Sequence, residues 1–131
     1  MKQKDWVEEH LNEVLKYQQM LERTPDEMKV HRIEIMSKML VFIGKLAATF
    51  SEEYKNVYAD RKVAYAEAEL AAEKYKQAHA EIAVKELRKQ EATAYGNMQR
   101  WRNAFESTKE EINALKYKVK IDIEDGSSRI R

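Results

Sequence analysis

Val7, Leu11, Val14, Gln18 and Leu21 recur at three- and four-residue steps, which sets them on one face of a helix of about twenty residues ending near Arg23. The chain then restarts at "TPDE". Thr24 is suited to accept from the first helical N–H groups, Pro25 to the first helical position, and Glu27, three residues beyond the cap, completes a capping box. A second helix is therefore predicted from residue 24. Met28, Ile35, Met36, Met39, Leu40, Phe42, Ile43, Leu46, Ala47 and Phe50 make its first half apolar on more than one face. Such a segment needs two neighbours, either two helices of its own chain or one helix and another subunit.

Beyond Phe50 the pattern becomes a heptad. Phe50, Val57, Ala64, Ala71 and Ala78 form one row, and Tyr54, Arg61, Ala68, Tyr75 and Ile82 the other. The small alanines allow a partner helix to approach closely. A second run follows at alternating steps of three and four: Val84, Leu87, Glu91, Ala94, Met98, Trp101, Phe105, Thr108, Ile112, Leu115 and Val119. One unbroken helix from Pro25 to Val119 would be about 140 Å long, so the chain is expected to fold back, with the reversal near "KQAHAEIA"; the alternative is an unbroken helix paired only with other subunits. In "LKYKVKIDIEDG", Leu115, Tyr117, Val119, Ile121 and Ile123 alternate strictly with Lys116, Lys118, Lys120, Asp122 and Glu124. This pattern fits a strand that pairs with another edge, and equally a helix that continues to about Val119 before the tail frays. The fold expected is all-α and a single helical domain. A short first helix (1–23) precedes a long antiparallel, coiled-coil-like hairpin (24–79 and 82–119), and a strand-like tail closes the chain (120–131).

Composition narrows the chemistry. The 131 residues suit one domain. Charged residues make up 36% of the chain but cancel to a net +1, so global charge carries no sign of nucleic acid or an anionic membrane. The absence of cysteine excludes disulfides, thiolate metal sites and cysteine nucleophiles, and fits a reducing compartment. "MKQKDWVEEHLNEV" is amphipathic and acidic, unlike a signal peptide, and the apolar stretch "MLVFIGKLAATF" is short and carries Lys45. A cytoplasmic protein with no membrane span is expected. His10, His31 and His79 are isolated from one another, and Glu8–Glu9, Glu52–Glu53 and Glu110–Glu111 diverge by about 100° on a helix. With no phosphate loop and no serine beside a recognisable base, no catalytic residue, metal site or cofactor is expected, and the protein is not read as an enzyme.

One local signal remains. With Val84 and Leu87 as a and d of the second run, the e positions are Arg88, Tyr95, Arg102, Lys109 and Lys116, a stripe about 42 Å long. Residues 82–104 hold five bases and two acids, against five bases and seven acids in 51–81. The stripe could form ion pairs across the hairpin. Register favours another outcome: with Phe50 at d, the acids Glu53, Asp60, Glu67 and Glu81 fall at g, whereas Tyr58 and Tyr65 fall at e. In an antiparallel hairpin e faces e, so the bases would lie beside these tyrosines. A groove of cations and rings suits single-stranded nucleic acid, because cations neutralise phosphate and bases stack on aromatic faces. Trp101, at d between Met98 and Phe105, is expected in the core. Met39, Leu40, Phe42, Ile43 and Leu46 are expected to form an interface between copies of the chain.

"RKVAY" (61–65), "QRW" (99–101) and "INALK" (112–116), in this order and spacing, resemble the UvsY recombination mediators of large tailed phages over roughly the last 80 residues. The resemblance implies a small, helical, oligomeric, non-enzymatic protein of the host-cell cytoplasm. Its partners would be single-stranded DNA, further copies of itself, a RecA-like recombinase that it helps to load, and the single-strand-binding protein that it helps to displace. The basic residues that the family places after its "KKVAL"-like stretch correspond here to Ala66 and Ala68, so that contact does not carry over. Arg61, Lys62 and the stripe from Arg88 to Lys116 would have to supply the charge. The family's Gly-rich turn between helices is also missing. A helical adaptor or inhibitor of phage origin, binding proteins alone, is the competing expectation.

Overall fold

The computed structural model describes residues 2–126, with side chains from Asp5 onward, as four helices: α1 (Lys2–Glu22), α2 (Lys29–Ala71), α3 (Lys76–Ala83) and α4 (Lys85–Glu124). No strand occurs among the described residues. The chain is thus all-α, and its long helices divide between two compact units, residues 1–46 with 101–131, and residues 47–100.

In the first unit α1, the start of α2 and the end of α4 enclose a core of Val14, Ile35, Met36, Met39, Ile43, Leu46 and Ile112. The expected row of α1 holds at Val7, Leu11, Val14 and Leu21, whereas Gln18 is exposed. Tyr17 turns inward instead, its ring 6.1 Å from that of Phe42. His10 is buried; its Nδ1 lies 2.7 Å from the Trp6 carbonyl oxygen and its ring stands 5.4 Å from Phe42. This packing covers, within the chain, three of the five residues expected at an interface between copies. Met39, Ile43 and Leu46 are 6, 3 and 0% exposed, and Leu40 and Phe42 are half-buried. The two neighbours this segment requires are both helices of its own chain. Gly44 permits a close approach of α4, since a Cβ there would lie 3.1 Å from the Phe105 ring.

The capping box expected at Thr24 does not form. Its hydroxyl donates backward to the Met20 carbonyl (2.7 Å), and Arg32 Nη1 donates to the carbonyls of Leu21 and Thr24 (both 2.9 Å). The last turn of α1 leaves carbonyls without partners, so Thr24 and Arg32 serve that end, and α2 begins only at Lys29.

In the second unit the chain reverses at residues 72–75, where Tyr75 adopts the left-handed conformation (φ 53°). The reversal expected at 76–83 is therefore displaced: that segment is α3, separated from α4 only by Val84 (φ −101°). α2 and α4 run antiparallel here, as the pairs Tyr54–Tyr95 and Arg61–Glu91 show. Core residues are few: Ala80, Val84, Ala94 and Met98. The heptad of α2 faces inward only as far as Ala68; Ala71, Tyr75, Ala78 and Ile82 are exposed. By contrast, every member of the α4 row from Val84 to Val119 is buried or half-buried.

The alternation at 115–124 is helical, the second of its two readings, and the helix runs past Val119 to Glu124. Leu115 and Val119 extend the inward row of α4, Tyr117 and Ile123 are exposed, and Asp122 pairs with Lys29 at 3.4 Å. Gly126, with φ 77°, follows the last turn, as a helix-terminating glycine does. Residues 127–131 of the expected tail lie outside the described residues.

Candidate functional site

Tyr54, Tyr58, Lys62 and Tyr65 are spaced at helical intervals along one side of α2 in the second unit. The Tyr54 ring sits 6.2 Å from Tyr58 and meets Tyr95 of α4 edge-on at 5.4 Å, so three rings form a row across the hairpin. Tyr58 and Tyr95 remain 39 and 46% exposed. The Tyr95 hydroxyl accepts from Gln99 Nε2 (3.0 Å). The Arg61 guanidinium and the Lys62 ammonium lie 5.3 and 5.6 Å from the Tyr58 ring centre, within cation–π range. Two open hollows flank the row and share Arg88. One, of about 390 Å³, is bounded by Arg61, Lys62, Tyr65, Ala66, Glu81 and Arg88. The other is bounded by Tyr54, Arg88, Glu91, Ala92 and Tyr95.

The two arginines of this surface differ. Arg61 Nε and Nη2 donate to the two carboxylate oxygens of Glu91, with side chains only 14 and 18% exposed. Hydrogen bonding to Glu91 raises the Arg61 pKa further above its ordinary value. Arg61 is thereby a member of the hairpin seam. Arg88 donates through Nε and Nη2 to Glu81 at 2.9 and 3.1 Å, but both side chains are about half exposed. Such a surface pair is worth well under about 1 kcal/mol, and an incoming phosphate can displace it.

Arg88 shares a hollow with Tyr65, the juxtaposition expected from register. Glu81, expected on the opposite flank, reaches the same arginine because the helix breaks at Val84 and resets the phase between α3 and α4. Arg102, Lys109 and Lys116 are exposed but belong to the first unit, where Lys109 pairs with Glu106 (3.9 Å). Trp101 is half-buried in that unit. Sequence reasoning overlooked Tyr54, Glu81 and Glu91. The signal for Glu91 was present: a carboxylate in the inward row of α4 and a guanidinium in the inward row of α2 each require a partner of opposite sign.

The first unit has a hollow of about 450 Å³ bounded by Asp26, Glu27, Lys29, Arg32, Glu111 and Lys118 among others. Its charges are mixed, and Arg32 is engaged in capping α1. Among the described residues no three His, Asp or Glu side chains converge as metal ligands, and no helix is long and apolar enough to cross a membrane. No protein-family model, no curated protein and no solved structure matches the chain.

Proposed function

We propose that the chain is a non-enzymatic protein that binds single-stranded nucleic acid across Tyr58, Lys62, Tyr65, Arg88 and Tyr95. The supporting observation is the row of tyrosine rings running beside two exposed cations on one hairpin surface. Open rings give bases of any identity a stacking platform, while Lys62 and Arg88 neutralise the phosphates between them. Arg61 supports the platform from within the seam and is no longer a phosphate contact. Following the UvsY resemblance, the cellular role proposed is that of a recombination mediator. It would self-associate, help a RecA-like recombinase to load on single-stranded DNA and assist displacement of the single-strand-binding protein.

The test is fluorescence anisotropy with a labelled oligothymidylate. Tyr58→Ala combined with Tyr95→Ala is expected to weaken binding at least tenfold, since each stacked base contributes about 1–3 kcal/mol, with helicity unchanged by circular dichroism. Unchanged affinity in that variant overturns the proposed surface. A protein-binding adaptor is favoured by different observations. Residues 47–100 carry nine bases and nine acids, both arginines of the surface have carboxylate partners, and Leu70, Tyr75 and Ile82 stand 83, 80 and 74% exposed around the reversal. An adaptor of this kind would leave the oligonucleotide unbound even at low salt.

A further inference from the structure

The outer side of α2 in the second unit carries a second heptad row that the hairpin does not use. Ala59, Val63, Ala66 and Leu70 follow one another at steps of four, three and four, and all are exposed, Val63 by 57% and Leu70 by 83%. With Val63 and Leu70 at a, and Ala59 and Ala66 at d, Asn56 falls at the preceding a position, where an asparagine sets register in two-stranded coils. The flanking charges are patterned. Lys55, Lys62 and Glu69 occupy g; Glu53, Asp60 and Glu67 occupy e. None of the six makes an ion pair within its own chain among the described residues.

We infer that this face is a seam for a second copy of the same chain, docked in parallel. In a parallel pair, g of one helix faces e of the next heptad in the other, five residues further on. Lys55 then meets Asp60 of a second copy, and Lys62 meets Glu67, each twice by symmetry. Residues five apart on one helix lie on different sides and cannot pair with each other, so the complementarity is available only between chains. An antiparallel docking sets e against e, and within the seam Asp60 and Glu67 would then meet only acids. The seam spans about 22 Å from Asn56 to Leu70; it shares Lys62 and Ala66 with the hollow of the nucleic-acid proposal, but its test, made without nucleic acid, does not rest on that proposal.

Sedimentation velocity with charge-swapped variants tests it. The unaltered chain is expected to dimerise reversibly, and Leu70→Glu to be monomeric with unchanged helicity. Lys62→Glu alone and Glu67→Lys alone each place two like-charged pairs in the seam and should weaken dimerisation about tenfold. Mixing these two variants restores complementary pairs and should restore the dimer as a heterodimer. Because the chain has no cysteine, Leu70→Cys reports direction: mild oxidation should link two copies through that one position. A monomeric unaltered chain, a mixture that associates no better than its components, or a Leu70→Cys chain that fails to cross-link overturns the seam.

Discussion

Replacing Glu91 by alanine strands the Arg61 guanidinium between α2 and α4, and the cost follows from its surroundings. Arg61 directs two donors at Glu91, and the side chains are 14 and 18% exposed. Hydrogen bonds to charged groups contribute about 1.5–3 kcal/mol each when well desolvated, and the residual exposure lowers this toward the surface-pair range. A coupling of about 2 kcal/mol is expected for the pair, and a loss of about 2–3 kcal/mol for Glu91→Ala, which leaves a charge without its partner. For a chain of this size that corresponds to a fall in Tm of roughly 6–12 °C. Urea unfolding followed by far-ultraviolet circular dichroism on Arg61→Ala, Glu91→Ala and the double variant yields the coupling directly. Arg61→Leu with Glu91→Leu should recover most of the lost stability, because an apolar pair removes the desolvation cost along with the attraction. Coupling below about 0.5 kcal/mol, the level of independent sites, refutes the assignment of Arg61 to the seam. It would also return Arg61 to the set of available phosphate contacts.

Leu46, fully buried in the first unit, is expected to cost about 3–5 kcal/mol when changed to alanine, measured by the same urea titration. At Gly44 the Phe105 ring must yield a few tenths of an ångström to a methyl group, and the gain in helix propensity offsets this. Gly44→Ala should therefore be close to neutral and Gly44→Val destabilising by about 1–3 kcal/mol in thermal unfolding. Trp101 is half-buried in the first unit, so Trp101→Ala should lower stability by about 2–4 kcal/mol and, with the nucleic-acid surface assigned to the second unit, leave the oligonucleotide affinity of the folded protein unchanged, as read by anisotropy.

The helices were legible because their periodicity is strong. The α4 row from Val84 to Val119 faces inward at every step, and the helical character of both long segments follows from spacing alone. Boundaries were less legible than the helices themselves. Thr24 has the chemistry of a cap at either helix end, and only the packing of Arg32 against the end of α1 decides which it serves. The reversal at 72–75 rests on Tyr75 in a conformation that glycine adopts more readily, so no sequence marker announced it. At 115–124 a two-residue alternation and a helical row share Leu115 and Val119, and Gly126 was the overlooked helix-stop signal. For the candidate site, Tyr58, Tyr65, Arg88 and Tyr95 were named from register. The Arg88–Glu81 pair was not, because the phase change at Val84 cannot be read from heptad letters. The apolar segment at 39–46 was understood as needing two neighbours, and α1 and α4 of the same chain supply both, burying Met39, Ile43 and Leu46.

The salt dependence of oligothymidylate binding addresses the proposed function most directly. Each phosphate neutralised on a single strand contributes about −0.7 to the slope of log K against log salt. With Lys62 and Arg88 as the cations of the ring surface, a slope near −1.4 is expected, falling by about half in Arg88→Ala. No binding at low salt, or a slope unmoved by Arg88→Ala, contradicts the account.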